Sequence, residues 1–258
     1  MNMTRQYSLI IALLAALLLS ACSGGQFASL LDADQRPVPT LVQKQPAPPV
    51  DVATKKADFF AAIKPAVVQE NKRIRALREE IFALRQLRSP SSAELQRIKQ
   101  VAAIYKVELT GNKPDGAFWH ALLARVDEVP LEMALVQAAN ESAWGQSRFA
   151  REGNNYYGQW CYKKGCGLVP EQRNKGATHE VRRFASMEAS VRAYMQNINT
   201  SAAYAEFRSI RQSLRVQSRP LDAESLAYGL RSYSERGMAY VKTIRAMIRS
   251  NRELIANS

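Results

Sequence analysis

Large apolar residues return every three or four positions from residue 55 onward and again after residue 186, but between residues 157 and 184 that period is lost. This single interruption decides the fold class: a mainly α (α+β) chain with one small β lobe inserted between helices. Gly158, Gly165, Gly167, Pro170 and Gly176 punctuate the interruption, and stretches 168–173 and 178–184 around Asn174-Lys175-Gly176 predict a hairpin. Ahead of it, Phe59, Ile63, Val67, Ile74, Leu77, Ile81, Leu84 and Leu87 mark one long amphipathic helix, bent or started near Pro65. Its other side carries Lys72, Arg73, Arg75, Arg78, Arg85 and Arg88 and reads as a solvated surface. Further helices are predicted over 92–105, over 112–126 with Pro114 in the first turn, and over 131–142 behind Pro130. Others begin near Ser186, Ser201, Asp222 and Gly237, the last with Val241, Ile244, Met247, Ile248 and Ile255 at helical spacing.

The N-terminus decides the compartment. Arg5 precedes an apolar run from Leu9 to Leu19, too short to span a bilayer, and Ser20, Ala21 and Cys22 follow. That layout is a secretory signal peptide over 1–21. Leu19-Ser20-Ala21-Cys22 also resembles the lipobox of bacterial lipoproteins, which implies that Cys22 becomes the lipidated first residue of the exported chain and anchors it to a membrane. Ser23, where the inner-membrane retention signal has Asp, implies the outer membrane, facing the periplasm. Residues 22–54, with Pro37, Pro39, Pro46, Pro48 and Pro49, read as an extended tether, 55–110 as a basic helical arm and 111–258 as the catalytic domain.

Export leaves Cys161 and Cys166 as an even pair in an oxidising compartment, for which a local disulfide is the expectation. Only His120 and His179 accompany them, neither in a helical His-x-x-x-His arrangement, so neither a metal nor a cofactor is expected. The net charge of +13 asks for a polyanionic partner. Export makes nucleic acid the wrong one and turns attention to the cell envelope. The stretch 55–106 holds 12 Lys+Arg against 5 Asp+Glu, so the arm reads as a means of staying near an anionic wall.

The helix over 131–142 places Ala134, Ala138 and Glu141 on one face, with Gln137 one turn before the Glu. A Glu at a helix end, followed by Trp144-Gly145, can stand at the rim of a groove, and a carboxylic acid that keeps its proton there can act as a general acid. Spacing alone leaves open that Glu141 merely ends a structural helix.

The run Ala138-Ala139-Asn140-Glu141-Ser142-Ala143-Trp144-Gly145-Gln146-Ser147, then Gly153-Asn154-Asn155-Tyr156-Tyr157-Gly158-Gln159-Trp160, resembles the Glu-Ser-x-Trp-Gly and Asn-x-(Phe/Tyr)-Gly blocks of the bacterial glucosaminidase family, glycoside hydrolase family 73. Arg183-Phe184-Ala185-Ser186 with Ser190-Val191 and Tyr194 is similar to the segment after that family's hairpin, and Tyr233 with Tyr240-Val241 and Ile244 to its C-terminal tyrosine block. The Cys-x4-Cys insertion and the N-terminal arm are most similar to the Bax-type branch, whose members are named mannosyl-glycoprotein endo-β-N-acetylglucosaminidase-like.

The resemblance implies a lysozyme-like helical fold and hydrolysis of a β-1,4 bond next to N-acetylglucosamine in peptidoglycan, with Glu141 as proton donor. Glycosidases usually set a second carboxylate across the scissile bond. The family implies one from the hairpin, Glu180 ahead of Glu171, or none at all, the substrate's own 2-acetamido group attacking instead. Tyr233 is a candidate to hold that acetamido group or the water. Trp144, Tyr157 and Trp160 offer stacking surfaces, and Asn155, counted with them as substrate-binding, also suits the turn into Gly158. Three other classes stay in view: a lytic transglycosylase on the same fold, a non-catalytic peptidoglycan-binding lipoprotein, and a cysteine peptidase pairing Cys161 or Cys166 with His179, disfavoured because the two cysteines are expected to bond. A monomer is expected.

Overall fold

The computed structural model describes residues 51–258 apart from 172, 174 and 175. The signal peptide, Cys22 and tether residues 22–50 lie outside the described residues. Residues 51–54, assigned to the tether from sequence, instead start a helix: the Asp51 carboxylate accepts from the amides of Ala53 and Thr54 and caps α1 (Val52–Arg85).

Helix α1 runs for 34 residues and passes through Pro65 without stopping, although a proline withholds an amide from the helical ladder. Packing carries it through, because Ile63, Ala66 and Val67 are all buried. With Phe60 and Ile74 they share one core with Met133, Ala134 and Val136 of α4 (Leu131–Ser142), Val191, Tyr194 and Ile198 of α6 (Met187–Thr200), and Val241, Ile244 and Ile248 of α9 (Met238–Asn257). Each large apolar side chain buried there contributes roughly 1.5–3 kcal/mol. At the far end, Lys64 Nζ donates to the carbonyls of Ile255 and Ser258. The first half of the expected arm is therefore part of the unit that carries Glu141, which corrects the domain boundary at residue 110. An apolar stripe on a helix says that something covers it, not what. The second half of α1, through Leu77 and Ile81, forms a smaller core with α2 (Ser92–Ile104) and α3 (Gly116–Arg125). Helix α3 begins after Pro114 rather than around it, because Asp115 caps the Phe118 amide at 2.7 Å.

The arm's basic side is only partly solvated. Arg73 grips buried Glu70, Arg75 pairs with Glu128, and Arg78 donates to the carbonyls of Leu123 and Val126. Asp127, 2% exposed, draws in Arg78, Arg211 and Arg215 with N–O separations of 3.6, 3.8 and 2.7 Å. Burial works against the Asp127 charge, but the Arg215 hydrogen bond and the Arg211 and Arg78 charges outweigh it and hold the carboxyl below its ordinary range. Arg211 lies on α7 (Ala205–Val216) and donates to the carbonyls of Ala124, Asp127 and Glu128 and to Asn199, so its burial is fully matched. Beside it, α8 (Ala223–Leu226) runs into a short 3-10 turn whose Gly229 lies against α7, where a Cβ would come within 2.2 Å of Phe207 Cα.

The β lobe follows α5 (Arg148–Gly153) and consists of β1 (Trp160–Cys161), β2 (Gly167–Leu168) and β3 (Glu180–Arg182), ordered β1-β3-β2 and antiparallel throughout. The predicted hairpin is present as β2 and β3, though shorter, since Pro170 has no amide to offer a ladder. Strand β1, on the other edge of β3, was not foreseen. The molecule is thus mainly helical with one small sheet. No helix among the described residues is long and apolar enough to cross a membrane.

Candidate active site

Helix α4 ends abruptly. The buried Ser142 hydroxyl donates to the Ala138 carbonyl at 2.6 Å and accepts from the Gly145 amide at 2.8 Å. Between these anchors Ala143, Trp144 and Gly145 all take positive φ, at 50°, 58° and 76°. Two consecutive non-glycine residues in that region are strained, and strain of this kind persists only where the surroundings enforce it. Here Trp144 N donates to Ala139 O and Ser147 N to Ser142 O, closing the turn. Glu141, on the last turn, is left half-buried at the helix's open end.

There it lines a groove of about 960 Å³ together with Gly158, Trp160, Tyr204, Tyr233 and Glu235. Glu141 Oε1 accepts from the Tyr240 hydroxyl at 2.9 Å and from Asn140 Nδ2 at 3.0 Å. Oε2 lies toward Gly158, 3.6 Å from where a Cβ on that glycine would sit. Gly158 has φ +66°, and the turn is held because Tyr233 donates its hydroxyl to the Tyr157 carbonyl at 2.9 Å. The Tyr233 ring stacks on Tyr240 with centroids 5.3 Å apart. Burial pushes both hydroxyls far above the usual tyrosine range, so both remain O–H donors.

The β lobe supplies the aromatic wall. Trp160 is 55% exposed, and its register partner Val181 lines the same groove. The indole stacks on His179, ring centroids 4.0 Å apart, and Tyr162 also lines the groove. Cys161 and Cys166 are bonded to each other. Glu180 pairs in register with Cys161 and turns to the opposite face from Val181, because neighbouring strand residues alternate. Its carboxylate accepts from the amides of Gly165 at 2.9 Å and Gly167 at 2.8 Å, and these two bonds hold it below the ordinary carboxylate range.

Several expectations change on this geometry. Glu180 fastens the cystine loop and does not face Glu141 in the groove. Glu171 is exposed and lies 3.8 Å from Arg148, also off the groove. The second carboxylate that does line it is Glu235, missed from sequence although it stands two residues from Tyr233. Trp144 faces away, its ring against Phe59 and Phe60 at 5.8 and 5.3 Å with Lys56 Nζ over it at 5.0 Å, so it belongs to the α1 contact. Asn155 is 1% exposed and spends its amide on the carbonyls of Gln159 and Arg182 and its oxygen on Gln159 N, which makes it a turn residue. Tyr157 borders the groove with its ring buried, stacked on Tyr194 at 3.9 Å.

Residues 119–253, which hold Glu141, the groove and the stacked pairs Tyr157–Tyr194 and Tyr233–Tyr240, match the glucosaminidase family described as mannosyl-glycoprotein endo-β-N-acetylglucosaminidase. The chain belongs to the glucosaminidase family. It is similar to protein Bax of Escherichia coli (strain K12), 36% identical over 202 residues that cover 78% of this chain and 72% of Bax. A solved structure, the C-terminally truncated glycoside hydrolase domain from Salmonella typhimurium FlgJ, is 22% identical, covers 60% of this chain and 98% of that one, and superposes with a TM-score of 0.36. As a glucosaminidase the protein is a glycosidase, and its substrate is a glycan.

Proposed function

We propose that this glucosaminidase hydrolyses β-1,4 bonds next to N-acetylglucosamine in peptidoglycan, with Glu141 as the general acid. The observation that carries the reading is the placement of Glu141: a carboxyl at the broken end of α4, half-buried, opening into a groove that the exposed indole of Trp160 also lines. A flat aromatic side chain and a carboxylic acid lining one groove suit a sugar ring held with its glycosidic oxygen at the acid. Glu235, on the 231–237 turn, is the carboxylate the fold brings to the same groove, and in this reading it takes the part of base. Cys22 carries the lipid that keeps the enzyme, a monomer, on the periplasmic face of the outer membrane, as supported by the Leu19-Ser20-Ala21-Cys22 run.

The test is digestion of purified peptidoglycan with product analysis by mass spectrometry. Wild type is expected to release fragments ending in reducing N-acetylglucosamine, and Glu141→Gln to be inactive. Anhydro-sugar ends would indicate a lytic transglycosylase instead, and equal activity of both proteins would remove Glu141 from the chemistry. Glu235→Gln is expected to lower kcat by about 10²- to 10⁴-fold. Activity that survives Glu235→Gln but not Glu180→Gln would return the second role to Glu180, and activity that survives both would give it to the substrate's acetamido group.

A further inference from the structure

We infer that Tyr194, Gln137 and Tyr240 form a directional hydrogen-bond chain that reserves Oε1 of Glu141 as an acceptor and so places the acid proton on Oε2, the oxygen toward Gly158. The inference rests on Glu141 being the general acid.

The Tyr194 hydroxyl donates to Gln137 Oε1 at 2.6 Å, and Gln137 Nε2 donates to the Tyr240 oxygen at 3.0 Å. A carboxamide has one accepting end and one donating end, so the direction set at Tyr194 is passed on unchanged. Tyr240 receives one hydrogen bond and has only its own hydrogen to give, which goes to Glu141 Oε1 at 2.9 Å. Asn140 Nδ2 adds a second donor to the same oxygen. A proton on Oε1 would compete with both donors, whereas Oε2 has the Gly158 side to itself. Gln137 and Glu141 stand one turn apart on α4, Tyr194 comes from α6 and Tyr240 from α9, so three helices fix the carboxyl plane. Gln137, Tyr194 and Tyr240 are each at most 1% exposed, which keeps water from substituting for a link.

The chemical gain lies in two places. A carboxyl free to rotate offers either oxygen, and only one can meet the glycosidic oxygen. With Oε1 held, delivery is always from Oε2. When that proton leaves, the two donors on Oε1 are already aimed at the new charge and need no rearrangement. Gln137, Tyr194 and Tyr240 are accordingly positioning residues that act through Glu141.

Phenylalanine tests the chain with little disturbance, because the Tyr240 and Tyr194 rings are held by stacking on Tyr233 and Tyr157. In the full chain, with soluble glycan strands from peptidoglycan as substrate, Tyr240→Phe is expected to lower kcat about 10- to 100-fold with KM within about twofold. Tyr194→Phe, two links away, is expected to lower kcat about three- to tenfold alone and to add nothing in the Tyr240→Phe background. Wild-type kcat in either single variant, or losses that multiply in the double variant, would overturn the inference. Glu141→Gln measured alongside separates the two levels: if it matches wild type, the acid assignment itself is wrong, and if it is dead while Tyr240→Phe is unaffected, only the chain is.

Discussion

The indole of Trp160, which lines the groove, lies on the imidazole of His179, ring centroids 4.0 Å apart and planes 15° from parallel. Such a pair makes a rigid shelf. Trp160→Ala is expected to raise KM about two- to tenfold, the worth of one aromatic stacking contact, while kcat changes little. Quenching of Trp160 fluorescence by glycan fragments checks the contact directly. An unchanged KM would take the shelf out of substrate binding.

Glu180 holds the cystine loop by two amides rather than by any contact with Glu141. Glu180→Gln keeps the shape but offers only one acceptor for two donors. KM is expected to rise severalfold through a loosened wall, with kcat within about threefold of wild type, whereas loss of a catalytic carboxylate costs about 10²-fold or more. Steady-state kinetics decide between the two roles.

Gly158 stands at φ +66° beside Glu141 Oε2. Gly158→Ala meets no clash, since its Cβ would be at ordinary contact distance, but it pays backbone strain of about 1–3 kcal/mol and covers Oε2, the oxygen proposed to carry the acid proton. The expected result is a modest fall in melting temperature with a much larger fall in kcat. Full activity in a folded Gly158→Ala protein would place the scissile bond elsewhere in the groove.

Asp127 joins α1 to α7 through Arg78, Arg211 and Arg215. Asp127→Asn leaves those guanidiniums facing one another, and a loss of about 3–5 kcal/mol is expected in denaturant unfolding. The native carboxyl lies below its ordinary range, so its contribution is present above the unfolded-state value of about 3.9 and lost as pH falls through the lower native value. Wild type should therefore shed stability below about pH 4 by a component that Asp127→Asn lacks.

What was legible in the sequence follows the range of each signal. The 3.6-residue period marked α4 and α9, and its loss marked the β lobe, because both are local properties. Pairing in space is not local. Trp144 and Trp160 carry the same local signal, yet the left-handed turn after Ser142 sends the first into α1 and the register with Val181 sends the second into the groove. Glu180 and Glu235 were separated in the same way, one by strand alternation and the other by a turn that folds back on the site. The arginines of α1 looked solvated because Asp127 and Glu128, which claim two of them, lie some fifty residues on.

The bond between Cys161 and Cys166 also gives the molecule a timetable. Glu141 is held by hydrogen bonds from Tyr240 and Asn140, so its place does not depend on that bond. The loop after Trp160, which Glu180 also holds, gains its covalent closure only once two thiols have been oxidised, a step that a reducing compartment opposes. Under reducing conditions the molecule would keep the Glu141 end of the groove while losing the covalent clasp next to Trp160, and oxidation alone would restore it.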